Sequence, residues 1–323
     1  MKFKLESGIC TDVGQIRKVN EDFAGVYKVP QGELYIVCDG MGGYAGGKIA
    51  AAIAAESIST VFNNHLPGDY IPDIFFEAYQ TGNLAIKHAA EIDPDISHMG
   101  STAVALLISD DKAYIANIGD SRIYLIRNGS LVQLTKDHSL VQSLVDLGVL
   151  RKSRVSEHPQ KNVITRSLGS NKGDLPDVFD VPIDLLLSDT FVLCTDGLTQ
   201  NVEDAEIEEI ASQKSPADAV YILVDWANQR GGQDNITALV VKVVDTLDDN
   251  KNYANFFGFL KEKKAHLIIT FIVISLILVF FGLNRYFACQ ENKKNTDYFI
   301  PNNESSEFKK PIHAFDTVNQ PYS

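Results

Sequence analysis

An α+β fold with antiparallel strands is predicted by three features of the chain. Apolar runs rich in Val, Ile and Tyr have the length of strands and stop at Gly, Asp or Asn. Two of the gaps between them, Asp110-Asp111 and Asn128-Gly129, are the size of tight hairpin turns. The runs fall in consecutive groups, with helical patterns between groups instead of after every strand, which disfavours alternating βα units.

Taken in order, strands are expected at residues 34–38, 102–108, 113–118, 123–126, 191–194 and 236–243, and helices at 48–62, 73–90, 139–147 and 217–228. The first helix is so rich in Ala that it can approach a sheet closely. Cys38 and Cys194 lie inside apolar strands and read as small core hydrophobes, not nucleophiles. Asp137 or His138 reads as the cap of the helix that follows. His65, His88 and His98 lack metal-ligand spacing. The turn holding Gly42, Gly43, Gly46 and Gly47 has neither the lysine of a phosphate-binding loop nor the spacing of a dinucleotide fingerprint.

The composition, 45% hydrophobic and 22% charged, is that of a globular protein with a sizeable core. Against 42 acidic side chains stand 29 basic ones, so a main role in binding nucleic acid through a basic surface is excluded. Residues 251–323 carry 9 basic and 6 acidic side chains, which leaves 20 and 36 for residues 1–250; the acid is therefore concentrated in the first part. Cysteines at 10, 38, 194 and 289, with no C-x-x-C pair, fit neither a disulfide scaffold nor a cysteine zinc site, and suit a reducing compartment. No internal repeat or linker divides residues 1–248, which are expected to form one domain.

Residues 265–284 contain no Asp, Glu, Lys or Arg. As a helix they reach about 30 Å, the thickness of a bilayer's hydrocarbon core. Thr270, Ser275 and Gly282 make no polar face, which argues against the competing reading of a buried core helix. A single-pass membrane helix at 265–284 is expected, preceded by a basic juxtamembrane linker at 249–264 and followed by a short polar tail at 285–323. Lys261, Lys263 and Lys264 before the span, set against the looser Arg285, Lys293 and Lys294 after it, place the large domain on the cytoplasmic face of the cell membrane. Residues 1–21 show no long apolar stretch of the signal-peptide kind.

Two apolar runs deliver an acid and then a glycine: Cys38-Asp39-Gly40 and Cys194-Thr195-Asp196-Gly197. One Asp-Gly pair alone reads as a turn. A third acid, Asp234, precedes the last strand, and the pair Glu21-Asp22 follows Arg17 and Asn20. Carboxylates gathered at the ends of buried strands repel one another and need a countercharge. Oxygen ligands without His or Cys select Mg²⁺ or Mn²⁺ over Zn²⁺. Two such ions would acidify a water for in-line attack on phosphorus, and the lone Arg17 could clasp phosphate oxygens with its planar fork.

Together these residues resemble the metal-dependent serine/threonine protein phosphatases of the 2C type in their compact bacterial form, over about residues 8–244. The resemblance rests on Arg17-Lys18-Val19-Asn20-Glu21-Asp22, Asp39-Gly40-Met41-Gly42-Gly43, Gly100-Ser101-Thr102, Gly119-Asp120-Ser121-Arg122, Asp196-Gly197-Leu198-Thr199 and Gly232-Gln233-Asp234-Asn235-Ile236-Thr237, which stand in the family's order. It implies a central antiparallel β-sandwich flanked by helices on both faces, with a two-metal centre at one end. It further implies that Asp39 bridges two ions, that the Gly40 carbonyl binds one, that Asp196 and Asp234 hold the first, and that Glu21 reaches the second with Asp22 assisting through water. Arg17 matches the phosphate-binding arginine, and Asp120 with Asp196 a weaker third metal. Met41 stands where many eukaryotic members carry His, and Gln200 where some relatives carry a carboxylate. The flap, residues 147–170, offers Arg151, Lys152, Arg154, His158 and Arg166 to a phosphopeptide. The implied partners are phosphorylated proteins and a cognate serine/threonine kinase. A catalytically silent binding module and a phosphohydrolase of small esters are the alternatives.

Overall fold

The computed structural model describes residues 2–42, 46–170, 174–247 and 279–283. The chain divides into Met1–Asp248 and Asp249–Ser323, and the architecture below belongs to the first unit. Past it only 279–283 is described, as helix. The expected membrane span, its linker and its tail otherwise lie outside the described residues. Among the described residues no helix is long and apolar enough to cross a membrane.

Strands β1 (Lys2–Asp12), β2 (Asp22–Val29) and β3 (Gly32–Met41) open the unit, and helices α1 (Gly46–Asn64) and α2 (Ile71–Ile92) follow. Next come β4 (Gly100–Ser101), β5 (Ala103–Ser109), β6 (Lys112–Ile118), β7 (Arg122–Arg127) and β8 (Ser130–Gln133), then α3 (Leu140–Asp146). The short β9 (Asp177–Val178) and β10 (Ile183–Asp184) lead to β11 (Thr190–Cys194), α4 (Asp196–Thr199), α5 (Asp204–Gln213), α6 (Pro216–Gln229) and β12 (Ile236–Leu247). One antiparallel sheet has the order β1-β12-β11-β7-β8; the other has β10-β6-β5-β3-β2, with β4 beside β3 and β9 beside β6.

Three apolar layers hold these elements together, and side-chain alternation along each strand assigns residues to them. Tyr35, Val37, Leu106, Ile115, Ile123, Leu125, Leu193 and Leu239 fill the space between the sheets. Leu34, Ile36 and Cys38 point the other way, onto the alanines of α1 and onto Ile74, Phe75 and Tyr79 of α2. Val192, Cys194, Ala238 and Val240 likewise meet α5 and α6 through Ile207, Ile210, Leu223 and Val224. Both faces of the central strands are therefore buried, which is why these strands read as unbroken apolar runs.

The half-exposed edge strands β1 and β2, the first with polar residues at alternate positions and the second interrupted by Gly25 and Lys28, escaped the strand reading, as did α5, which carries four acids in ten residues. The expected strand at 102–108 is split at Thr102 into β4 and β5. Both expected hairpins form: Ser109 pairs with Lys112 and Arg127 with Ser130. Asn128 and Gly129 take φ of 53° and 70°, as a two-residue turn between right-twisted strands requires. The cap before α3 is neither Asp137 nor His138: Ser139 accepts the Gln142 N–H, because Asp137 is engaged by Arg122 and His138 by the Gly119 N–H and Asp177.

Antiparallel pairing gathers the start of β2, the end of β3, the end of β6, the start of β7, the end of β11 and the start of β12 at one pole of the sandwich. The pairs Asp22 with Asp39, Ala103 with Ile118, Cys194 with Arg122 and Asp12 with Ile236 fix that arrangement.

Candidate active site and metal centre

Asp22, the first residue of β2, stands directly opposite Asp39 in β3. Like charges in that relation destabilise a sheet, so the backbone beneath them needs firm support. The Asp39 N–H donates to Thr102 Oγ1 at 2.9 Å, and the Asp39 carbonyl accepts from the Thr102 N–H at 2.9 Å and from Ser101 Oγ at 3.1 Å. Asp39 is not at the strand's end, as the sequence suggested. The strand continues to Met41, because Gly40 and Met41 pair with Ser101 and Gly100 of β4.

Asp196 follows β11 after the single residue Thr195 and opens α4. A Cβ on Gly197 would strike the Asn235 carbonyl, so only glycine lets α4 approach the segment that carries Asp234. Asn235 ties that segment to the first motif: its Oδ1 accepts the Glu21 N–H at 2.8 Å and its Nδ2 donates to the carbonyls of Val13 and Val19, both at 2.9 Å. Asp120 sits in the connection from β6 to β7. Gly40 and Gly47 face one another closely; a Cβ on Gly47 would come within 2.6 Å of Glu21 Oε1 and of the Gly40 carbonyl oxygen. Arg17, half exposed, donates from Nη2 to Asp234 Oδ2 at 2.9 Å.

Burial raises the Asp39 carboxyl well above its ordinary range, and the neighbouring Asp22, Asp196, Asp120 and Asp234 charges add to the rise. Burial pushes Asp22 to about 7 against the hydrogen bonds it accepts from Thr237 and Thr195, with Asp196 and Asp234 adding to the increase. Asp120 reaches about 8 through burial and then the Asp196 charge. Asp196 is raised by burial and by Asp234. Asp22, Asp39, Asp120, Asp196 and Asp234, distant in sequence, thus share one electrostatic environment.

The donor chemistry fits hard divalent cations. Glu21 Oε1, Asp22 Oδ1, Asp120 Oδ1 and Asp196 Oδ1 are shielded from solvent without a hydrogen-bond partner. Orphaned anionic oxygens of this kind are costly unless a cation meets them. Among the described residues no three His, Cys, Asp or Glu side chains already enclose one position. Mg²⁺, which keeps several waters and takes few carboxylates, does not require such a cage.

Other residues around the pole were not assigned these roles from sequence. Thr195 and Thr237 donate to Asp22 Oδ2, and Gln200 Nε2 donates to Asp196 Oδ2 at 2.7 Å. Thr195 stands just before Asp196 and Thr237 three residues after Asp234, but neither position shows that both hydroxyls meet Asp22. Arg122 is close to Asp120 but is taken up by Asp137 through Nε and Nη2. Within the flap, Arg166 is committed to Asp177 and the Leu175 carbonyl. Lys152 and Lys161 instead line a cavity of about 350 Å³ with Asp120 and Asp196.

Comparison with known proteins bears on the family and the fold. Residues 18–143 match the family Protein phosphatase 2C. The chain is 39% identical over 237 residues to the serine/threonine phosphatase stp of Listeria innocua, covering 72% of this chain and 93% of that protein. The structure of the S. agalactiae serine/threonine phosphatase superposes with a TM-score of 0.70 at 35% identity, over 74% of this chain and all of that one (100%). The catalytic domain of the phosphatase PstP, solved in complex with two manganese ions, superposes with a TM-score of 0.66 at 33% identity, over 75% of this chain and 99% of that one.

Proposed function

Because the chain belongs to the protein phosphatase 2C family of serine/threonine phosphatases, we propose that its acidic pole hydrolyses phosphoserine and phosphothreonine in proteins with the help of two Mn²⁺ or Mg²⁺ ions. The observation that carries this reading is the set of buried carboxylate oxygens left without a protein partner beside one exposed arginine. Asp39, Asp196 and Asp234 would hold one ion, and Asp39, the Gly40 carbonyl and Glu21 the other, with Asp22 assisting; Asp120 and Asp196 would hold a weaker third. When bound, such ions supply an acidified water as nucleophile and positive charge against the phosphoryl oxygens.

The chain's own groups do the positioning. Arg17 exchanges Asp234 for the phosphate and presents two guanidinium nitrogens to its oxygens. Met41 has no proton to give, so the leaving serine or threonine oxygen takes its proton from water. Lys152 and Lys161 offer charge to residues flanking the phosphate in the cavity beside Asp120. The physiological setting in this reading is the cytoplasmic face of the cell membrane, held by residues 265–284 and opposing a serine/threonine kinase. Support for the anchor is the absence of any charged side chain in that stretch.

The deciding experiment compares kcat/KM of the full chain on phosphothreonine peptides and on small phosphate esters, before and after EDTA and after added Mn²⁺. The expected result is a preference for peptides that EDTA abolishes and Mn²⁺ restores. Activity insensitive to EDTA would refute the two-ion mechanism, equal turnover of small esters would favour the broader phosphohydrolase, and no activity in any arm would favour a silent binding module. Recovery of the full chain, but not of residues 1–250, in the membrane fraction tests the anchor.

A further inference from the structure

The hydroxyls around Asp22 form a chain of fixed polarity. Thr237 Oγ1 donates to Asp22 Oδ2 at 2.7 Å, so its contact with Thr11 Oγ1, also 2.7 Å, must be donated by Thr11. Thr11 in turn accepts from Asn20 Nδ2 at 2.9 Å. The amide orientation of Asn20 is set at its other end, where Oδ1 accepts the Asp22 N–H at 3.1 Å. The result is a closed ring that leaves the Asp22 backbone and returns to its side chain. A second donor, Thr195 Oγ1, reaches the same Oδ2 at 2.9 Å while accepting the Thr237 N–H at 3.0 Å. Every proton in the assembly points toward Asp22 Oδ2.

Thr195 shows that this arrangement takes precedence over local needs. It occupies the N-cap position of α4, where a threonine hydroxyl ordinarily accepts a helix N–H, yet it makes no side-chain cap bond. On the opposite side of the carboxylate, Oδ1 is shielded from solvent and has no partner. Two donors therefore saturate one oxygen and none touches the other.

We propose that Thr195 and Thr237 are positioning residues that lock the Asp22 carboxylate with Oδ2 occupied, so that Oδ1 alone is presented to the cation centre, and that Thr11 and Asn20 hold the lock from behind. The inference rests on the metal reading above and adds to it a determinant of ion affinity. Outer hydrogen bonds of this kind orient ligands, and losing one commonly weakens metal binding by about tenfold or more. Thr→Val keeps the shape and β-branching of the side chain and removes only the hydroxyl.

The test is titration calorimetry of the full chain with Mn²⁺. Thr237→Val and Thr195→Val should each weaken the second manganese by about tenfold, Thr237→Ser and Thr195→Ser should stay within about twofold, and in the Asp22→Ala background neither Val substitution should weaken it further. Val variants that bind like the unaltered chain overturn the inference, and so does a loss that persists undiminished in the Asp22→Ala background, which would mark the hydroxyls as merely structural. An unaltered chain that takes up no manganese overturns the metal reading, and the inference with it. Because the Thr195 hydroxyl also accepts the Thr237 N–H, the Asp22→Ala background is the control that separates loss of the carboxylate contact from loss of that backbone bond.

Discussion

The two poles of the sandwich bury aspartates in opposite ways. At the pole away from the active site, Asp189 is almost wholly inaccessible (1% exposed), and Arg127 meets it with both ends of its fork, Nε at 2.8 Å and Nη2 at 2.7 Å, while the Leu186 N–H adds a third donor. At the catalytic pole several aspartates converge on only one nearby arginine, Arg17, and the second candidate, Arg122, is closed off by Asp137. The same strands β7 and β11 run between the two poles. Burial of acid alone therefore does not mark a functional site in this fold; burial without a countercharge from the protein does.

The largest expected effect of breaking that contrast is on turnover. Asp39→Asn should lower kcat on a phosphothreonine peptide by about a thousandfold, about 4 kcal/mol of transition-state stabilisation. In the metal-free protein it should raise the melting temperature at neutral pH, because it removes a carboxyl whose ionised form burial and the neighbouring acids disfavour in the fold. The matching change at the other pole should do the reverse. Arg127→Met should leave kcat of the folded fraction unchanged and cost about 3 kcal/mol of stability, roughly 6–12 °C in melting temperature for a domain of this size. Equal behaviour of the two poles in calorimetry would end the comparison.

A pH series sharpens it further. Asp22 and Asp120 have folded-state values of about 7 and about 8, above the ordinary carboxylate value of about 4. At these two carboxyls the folded metal-free chain then holds more protons than the unfolded one between those limits, so the stability they contribute is full below about pH 4 and is lost as the pH rises through about 8. Thermal denaturation in EDTA should show the melting temperature declining from pH 5 to pH 8, and saturating Mn²⁺ should abolish the decline. The smallest effect belongs to Arg17, which is exposed and held by one bond. Arg17→Ala should raise KM by about tenfold with a lesser loss in kcat; an unchanged KM in steady-state kinetics would leave it only a partner of Asp234.

Much of this pole was legible in the sequence because it is written as acids beside glycines at the ends of apolar runs. Asp39 and Asp196 fit that pattern, and Asp234 stood out as an acid just before the last apolar run. What the pattern could not supply was register. Glu21 and Asp22 are adjacent and chemically alike, and only the pairing of β2 with β3 shows that Asp22, expected to assist through water, stands directly across from Asp39. The edge strand β2 was itself invisible because Gly25 and Lys28 interrupt its apolar pattern and one face meets solvent. For the same reason the roles of Thr195 and Thr237 were out of reach: a hydroxyl in an apolar strand says nothing about which distant carboxylate it will find. The expectation that Asp137 or His138 caps α3 failed on a related point, since both side chains found tertiary partners and left the cap to Ser139.

The last strand of the unit, β12, is laid down between β1, the first, and β11. Closing that sheet joins the first and last strands of the unit, a long-range pairing that is slow to form. Asp234, Asn235 and Thr237 arrive with it. On the proposed two-ion reading, which gives Asp234 to the first ion, a growing chain that ends before residue 234 would lack part of that ion's site and so the means of removing phosphate prematurely.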